Sequence, residues 1–461
     1  MRHNGSYRTS IRRQQIKMKT PIYDFTNAYA NTDTVRLHMP GHKGQGSLCE
    51  ALDITEVDGA DSLFEANGII MESEKNASLL FGSNTFYSTE GSSLCIRAMI
   101  FLISLYAKEM GRAPIIAAGR NAHKSFLSAI ALNDADVVWL TSQKNTSYLS
   151  CSISADEIDA YLKNTDTLPS AIYLTSPDYF GNVSDISGIA RVCHSHGVLL
   201  CVDNAHGAYL KFLTPSRHPI DLGADICCDS AHKTLPVLTG GAYLHISNDA
   251  PAVFSEQAKN ALCLFGSTSP SYLILRSLDK ANEYLEHHAE RLSRFIPLLD
   301  DLRSELVESG YKLMGNEKLK ITIDAKAYGY TGNDLSAILA KENIVCEFAD
   351  PEHLVLMFTP ENSKNDIDQV KKALLSINKK DPITDAPPSF SLPERVMSAR
   401  EAMFAPSERV PLDSACGRVL GMANVSCPPA VPIVVSGERI DKGSINAMRY
   451  YGIDSCFVVK N

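Results

Sequence analysis

The chain has 461 residues, 44% of them apolar and 21% charged, with a formal charge of −9 and no long run of either sign. That length exceeds one compact unit and supports two or three cores of ordinary globular composition. The acidic balance excludes nucleic acid or an anionic membrane as the main partner, because both demand a basic face.

The residues before Asp24 contain no acid and carry Arg2, Arg8, Arg12 and Arg13. This stretch has no apolar segment of the kind a secretory signal needs, and residues 1–50 read as an N-terminal arm. Between residues 70 and 250 helical and strand patterns alternate. Helices are expected over 72–81, 93–110 and 123–132, with strands over 85–88, 114–118 and 137–140. A helix over 155–162, N-capped by Ser154, precedes a strand over 171–175. A helix over 186–196 precedes an apolar strand over 198–203. Short strands without polar alternation, separated by helices, imply an α/β domain with a mostly parallel sheet sandwiched by helices. The most apolar tract, 94–107, is interrupted by Arg97 and too short to span a bilayer.

From 271 to 310 the pattern turns helical and charge-rich, as in a helix leaving one domain for another. Strands over 318–324, 345–349 and 353–358 and a helix over 364–377 predict a smaller α+β domain. The proline-bearing stretch 379–393 reads as a linker. A last segment holds a short helix, a Cys427-Pro428-Pro429 turn and an apolar strand over 432–435. The division expected is an arm over 1–50, a cofactor-binding large domain over 51–275, a small domain over 276–380, a linker over 381–392 and a C-terminal segment over 393–461.

Twelve cysteines are scattered along the chain with no CxxC pair, which fits core cysteines in a reducing cytosol and hence a cytoplasmic protein. Cys193-His194-Ser195-His196 has metal-binding residue types. It lacks a second cluster at zinc spacing, so no metal site is expected.

In an open parallel sheet, ligands gather beyond the carboxyl ends of the strands. Asp203 ends one apolar strand, and a carboxylate there needs a partner because burying it alone is costly. A structural acid capping the next turn is the plain alternative. Lys233, in Ser230-Ala231-His232-Lys233-Thr234, follows another apolar strand over 225–228 and precedes Gly240-Gly241. Desolvation at such a place favours the neutral, nucleophilic amine, although an isolated lysine is more often a surface residue. Together, Asp203 and a lysine thirty positions later suit pyridoxal phosphate. The carboxylate keeps the pyridine nitrogen protonated and the lysine forms the Schiff base. Gly91-Ser92-Ser93 lies at a strand-to-helix junction, where free N–H groups and hydroxyls can hold a phosphate, or where a serine merely caps the helix. His123, at another such junction, can stack on the cofactor ring or simply cap its helix. No P-loop and no GxGxxG is present.

An ordered series of motifs makes the match specific. They are His38-Met39-Pro40-Gly41-His42-Lys43-Gly44, Asp53-Ile54-Thr55-Glu56, Asn121-Ala122-His123-Lys124-Ser125, Thr175-Ser176-Pro177-Asp178-Tyr179-Phe180-Gly181, Asp203-Asn204-Ala205-His206-Gly207-Ala208, Ser230-Ala231-His232-Lys233-Thr234, Ser267-Thr268-Ser269-Pro270, Ser398-Ala399-Arg400-Glu401-Ala402 and Gly437-Glu438. From about residue 20 to its end the chain resembles the bacterial ornithine/lysine/arginine decarboxylases, pyridoxal-phosphate enzymes of the aspartate-aminotransferase fold type, in the short form without a receiver-like domain. The resemblance implies decarboxylation of a basic amino acid, arginine first, then lysine or ornithine, feeding polyamine synthesis. It implies Lys233 as Schiff-base lysine, Asp203 as partner of the pyridine nitrogen, His123 as stacking ring and His232 as a proton donor. Ala205 and His206 would adjoin the cofactor. Ser92, Ser93 and Ser230 would hold its phosphate beside Gly91. Thr268, with Ser267, would complete a neighbouring subunit's site in a homodimer. Glu438 would grip the distal cation of the substrate, with His42 as a second substrate contact. The fold alone leaves open an aminotransferase, a lyase or a non-catalytic cofactor-binding regulator.

Four positions depart from the family pattern. Asn204 replaces a usual acid, Tyr209 a usual histidine, Glu90 sets an acid beside the expected phosphate loop, and Ser436 stands where proline is common. These put substrate preference and full activity in question.

Overall fold

The computed structural model describes residues 18–141, 147–388, 391–422 and 429–460. The arginines before position 18 and the Cys427-Pro428 half of the expected turn lie outside the described residues. A seven-stranded sheet organises the large domain. In spatial order it runs β1 (Asn84–Ser88), β7 (Ala242–Ile246), β6 (Ile226–Asp229), β5 (Leu199–Asp203), β4 (Ala171–Thr175), β2 (Ile115–Gly119) and β3 (Asp136–Leu140). Pairings from β6 through β3 are parallel, and β7 alone is antiparallel to its neighbours.

Alternate strand residues feed opposite cores, as the two-residue period of a strand requires. Ile116, Ala118, Tyr173, Cys201 and Cys228 pack under α3 (Gly91–Glu109), α4 (Lys124–Asn133) and α8 (Ala252–Phe265). Ala117, Ile172, Leu174, Leu200, Val202 and Cys227 pack under α5 (Ala155–Asn164) and α6 (Ile186–Ser195). The apolar tract seen in the sequence is α3, whose buried face faces the sheet, so its composition is that of a core helix. Ser154 caps α5 in a reciprocal capping box with Glu157, as the sequence predicted.

At the β1 edge, α1 (Pro21–Ala30), α2 (Ile69–Phe81) and α9 (Tyr272–Leu285) share another core. Residues 21–30 are therefore a folded helix rather than part of an arm: Ile22 is fully buried and the Tyr23 N–H donates to Asp279 Oδ2 at 2.9 Å. Lys233 lies on the single turn α7 (Ala231–Thr234).

The helical stretch after 271 breaks into α9 and α10 (His288–Glu308), because the two pack on different cores. The small domain joins α10 to β8 (Lys312–Met314), β9 (Lys320–Asp324), α11 (Gly332–Lys341), β10 (Phe348–Ala349), β11 (His353–Met357) and α12 (Lys364–Leu375). Its antiparallel sheet is ordered β10-β11-β9-β8. The strand expected over 345–349 shrinks to two residues, since Val345 projects into solvent.

The C-terminal segment contains α13 (Ala399–Phe404), β12 (Ser407–Pro411), β13 (Leu420–Met422), α14 (Lys442–Tyr450) and β14 (Ser455–Val459), with strand order β12-β14-β13. The stretch 432–435 is not a strand. It is a buried loop whose Pro432 and Ile433 carbonyls accept from the Arg120 guanidinium at 3.1 and 2.9 Å. The backbone polarity that a strand would satisfy by pairing is satisfied there by one side chain.

Candidate active site

Three parts of the chain meet in one cavity beyond the carboxyl ends of the central strands. The large domain contributes Thr175 at the end of β4, Pro177 and Tyr179 after it, Asp203 at the end of β5, Ala205 and His206 after it, and Lys233 on α7. Ser92 comes from the first turn of α3, and Asn121 and His123 precede α4. Leu149, Glu347 before β10, and Pro429 and Val431 of the C-terminal segment close the walls.

Lys233 and Asp203, identified in the sequence as strand-end residues, line this same cavity. Asp203 is buried. Its carboxylate accepts from the Ala205 N–H at 3.2 Å and from Tyr173 Oη at 3.3 Å, with Cys228 Sγ at 3.7 Å. None of these partners is cationic. Burial pushes the Asp203 pKa up, and the charge of Lys233 pulls it back only partly, so the carboxylate would gain from a cation brought into the cavity. Thr175 Oγ1, on the same wall, is buried without a hydrogen-bond partner among the described residues.

Lys233 Nζ lies 2.9 Å from His206 Nε2. The other ring nitrogen, Nδ1, lies 2.9 Å from Lys320 Nζ at the start of β9. Lys320 is in turn ion-paired to Glu317 at 2.9 Å with both side chains buried. Burial, and then the charges of Lys233 and Lys320, hold the His206 pKa well below its ordinary range.

Gly91, with φ of +70°, opens α3 in a conformation that a side chain would strain. Its N–H donates to the Gly240 carbonyl at 2.7 Å, which fixes the junction against the Gly240-Gly241 turn. Ser230 Oγ donates to Ser92 Oγ at 2.8 Å, and Ser93 Oγ lies 2.7 Å from Ser125 Oγ. Four hydroxyls thus cluster at the amino end of a nineteen-residue helix, where the dipole and free N–H groups favour an anion. Glu90 does not oppose it. Its exposed carboxylate turns away and accepts from the Ser267 N–H at 2.6 Å.

His123 caps α4: its Nδ1 accepts from the Ser125 N–H at 3.1 Å and lies 2.9 Å from Ser125 Oγ. Capping and cavity lining are therefore one placement. Burial, then Lys233 and Lys124, lower its pKa to about 3, so a neutral ring with a free face is presented. His232 is placed differently. Its Nδ1 lies 3.0 Å from the Gly241 carbonyl, and the imidazole bonded to Lys233 Nζ is that of His206 instead.

The two substrate contacts expected from the sequence also lie elsewhere. Glu438 is buried and committed to Arg120 Nη2 at 3.0 Å and to the Val435 N–H at 2.8 Å. His42 pairs with Asp53 at 3.2 Å on an outer loop. Thr268 stands on the exposed loop between α8 and α9, away from its own chain's cavity. The carboxylate that does reach the cavity besides Asp203 is Glu347, which accepts from Tyr179 Oη at 2.9 Å. Glu347 and Lys320 come from the small domain, and nothing in their local sequence distinguishes them.

The departures have structural counterparts. Asn204 is fully buried, and its Nδ2 donates to Asp229 Oδ1 at 2.7 Å. His218 and His245 each place Nε2 3.1 Å from Asp229 Oδ2. Burial works to raise the Asp229 pKa, and the two imidazoles outweigh it and hold it below the usual carboxylate range. Tyr209 Oη accepts from the Lys318 N–H at 3.1 Å, tying the large domain to the small one. In the tract expected to hold no metal, His194 and His196 bond different acids, Asp225 and Asp159, at 3.0 and 2.9 Å.

The family model for the major domain of Orn/Lys/Arg decarboxylases matches residues 20–322, and that for the family's C-terminal domain matches residues 388–456. An arginine decarboxylase of Bacillus subtilis (strain 168) is 29% identical over 465 residues, covering 93% of this chain and 92% of its own length. An arginine decarboxylase of Halalkalibacterium halodurans is 28% identical over 469 residues, covering 94% of this chain and 93% of its own. The crystal structure of the Francisella novicida lysine decarboxylase LdcF superposes with a TM-score of 0.78 at 17% identity, over 96% of this chain and 82% of that one. The last likeness establishes the fold. With both domain models matched in order along its length, the chain belongs to the Orn/Lys/Arg decarboxylase family.

Proposed function

We propose that the protein decarboxylates a basic amino acid, arginine before lysine or ornithine, with pyridoxal phosphate held at Lys233. The observation that carries this is that the Lys233 amine and the Asp203 carboxylate open into one cavity. The residues present fit the cofactor. A nucleophilic amine, a buried carboxylate without a cationic hydrogen-bond partner, a flat neutral imidazole and a hydroxyl-lined helix end are the four complements that an aldehyde, a ring nitrogen, an aromatic face and a phosphate require.

When bound, the cofactor supplies an electron sink for the pair left on the α-carbon as carbon dioxide departs. Asp203, a buried carboxylate whose described hydrogen-bond partners are all neutral, would accept from the ring nitrogen and, as the ionised partner, keep it protonated. His123 would stack on the cofactor ring, and the small side chain of Ala205 would leave room for it in the same cavity. The hydroxyls of Ser92, Ser93 and Ser230 hold the phosphate, with Gly91 admitting close approach. Lys233 Nζ would provide the attachment and, once freed, would be the group placed to return a proton to the α-carbon. Leu149, Pro429 and Val431 line the cavity with apolar surface, which disfavours a charged carboxylate and favours its loss as a neutral gas.

Glu347, rather than Glu438, meets the distal cation, and a carboxylate can take a guanidinium in a two-point bond. The full-length relatives named arginine decarboxylase support arginine first. The amine product suits a polyamine precursor. The eleven cysteines of the described residues are all free, which fits a reducing cytosol. In the same reading two copies pair, and the exposed loop bearing Ser267 and Thr268 serves the neighbouring cavity.

The test is product analysis by mass spectrometry on arginine, lysine and ornithine with added pyridoxal phosphate. Agmatine from arginine is expected, and Lys233→Ala should abolish both the cofactor's absorbance band and turnover. A keto acid as product, or no turnover on any of the three, would overturn the reading.

A further inference from the structure

His206 lies between two lysine amines, and that arrangement constrains protons. A neutral imidazole has one N–H donor and one lone pair, and an ammonium has donors only. With Lys233 Nζ at 2.9 Å from Nε2 and Lys320 Nζ at 2.9 Å from Nδ1, both contacts can be hydrogen bonds to a neutral ring only if one of the two amines accepts. That amine must be uncharged. Lys320 has the buried carboxylate of Glu317 at 2.9 Å and the Asp178 carbonyl at 3.2 Å. A neutral Lys320 would strand the Glu317 carboxylate in the interior without its counter-charge, which is costly. Lys320 is therefore the ammonium, Nδ1 accepts from it, and the ring proton sits on Nε2, pointing at Lys233.

We propose that Lys320 is a positioning residue: paired with Glu317, it fixes the tautomer of His206 so that the Nε2–H bonds the lone pair of Lys233 and keeps that amine the free base. The inference rests on the reading of Lys233 as the nucleophile and adds how its amine is kept neutral at a site that also holds Asp203. Burial, the largest cause, already lowers the proton affinity of His206, which keeps the ring between the two amines neutral. Other titratable groups facing Lys233 among the described residues include Asp203 at the end of β5, His123 ahead of α4 and its neighbour His232. Those facing the Lys320–Glu317 pair include Asp178 after β4, Arg303 on α10, Tyr209, and Tyr179, whose ring centroid lies 6.0 Å from Lys320 Nζ. Asp203 opposes the effect by favouring a charged amine, which is why a directed N–H is needed at all.

Two measurements on the full-length, cofactor-free protein test this. In protein labelled with ¹⁵N-histidine, the His206 signals, identified by their loss in His206→Gln, should show an unprotonated Nδ1 and a protonated Nε2. The opposite tautomer, or an imidazolium, at neutral pH overturns the proposal. Next, Lys320→Met combined with Glu317→Gln removes the donor to Nδ1 while leaving the net charge of the pair unchanged. Competitive acetylation of Lys233, read by mass spectrometry against surface lysines, should slow about tenfold at neutral pH, a one-unit change in proton affinity. Its pH profile should move to higher pH, and Lys320→Arg alone should restore most of the rate. An unchanged Lys233 profile in the paired variant also overturns the proposal. Should the paired variant fail to fold, the wild-type ¹⁵N spectrum decides alone. Borohydride trapping of pyridoxal phosphate at Lys233 tests the functional reading separately, because attachment there can succeed whichever tautomer His206 adopts.

Discussion

The Arg120 guanidinium and the Glu438 carboxylate meet at 3.0 Å in the interior, joining the end of β2 to the C-terminal segment. Arg120 also holds the Pro432 and Ile433 carbonyls, and Glu438 accepts the Val435 N–H. The pair therefore carries the loop whose neighbours Pro429 and Val431 wall the cavity. Glu438→Ala leaves a buried guanidinium without its carboxylate and should cost about 3–5 kcal/mol in urea unfolding. Arg120→Met with Glu438→Leu should recover only part of that loss, because the Pro432 and Ile433 carbonyls and the Val435 N–H also lose their partners. A Glu438 variant of normal stability with a raised KM would instead make it a substrate contact.

Glu347→Gln should raise KM for arginine about tenfold with little change in kcat. A hydrogen bond to a charged partner contributes about 1.5–3 kcal/mol, and the exposure of Glu347 keeps the effect near the lower end. Steady-state carbon dioxide release measures it. An unaltered KM would remove Glu347 from the substrate site.

His288 is fully buried against Phe212 and Tyr284, and neither ring nitrogen has a hydrogen-bond partner among the described residues. Burial, then Arg291, lowers its pKa to about 4. A folded-state pKa below the unfolded value of about 6.5 means that unfolding takes up a proton. The stability His288 permits is complete above about pH 6.5 and is lost as pH falls toward 4. His288→Phe removes this loss. Its thermal midpoint should pull ahead of the wild type progressively from pH 6.5 down to 4, and a constant difference across that range would contradict the assignment.

Asn204→Asp tests why this chain departs from the family's acid. The substitution exchanges the amide that donates to Asp229 at 2.7 Å for a second carboxylate at the same place. Thermal unfolding should drop by an amount equivalent to about 3–5 kcal/mol, the penalty of an uncompensated buried charge. Unchanged stability would mean that the new carboxyl is protonated or that His218 and His245 absorb the charge.

The parallel sheet was legible because strands such as β5 and β6 are short, apolar and free of alternation, a pattern with few other uses. Strand β7 was not read, since a histidine interrupts its apolar run and only the tertiary partner Asp229 explains it. Helix α1 reads as part of an arm in the sequence because its anchor, Asp279, lies far along the chain. At the site, Asp203 is legible as an acid ending a buried strand and Lys233 as a lysine just beyond one. Glu438 reads as ligand-binding because it is an acid within a family motif, while its buried partner Arg120 becomes evident only when β2 and the C-terminal loop are brought together. Lys320 and Glu347 stand in unremarkable small-domain sequence, and folding alone gives them their neighbours.

The cavity is walled jointly by the large domain, by Glu347 of the small domain and by Pro429 and Val431 of the C-terminal segment. None of these modules can be exchanged with a relative's in isolation. A chimera that imports a foreign C-terminal segment inherits a lining shaped for another scaffold and must also match the cation at position 120. Substrate preference in such hybrids should follow the combination of parts rather than the parentage of the lysine-bearing domain.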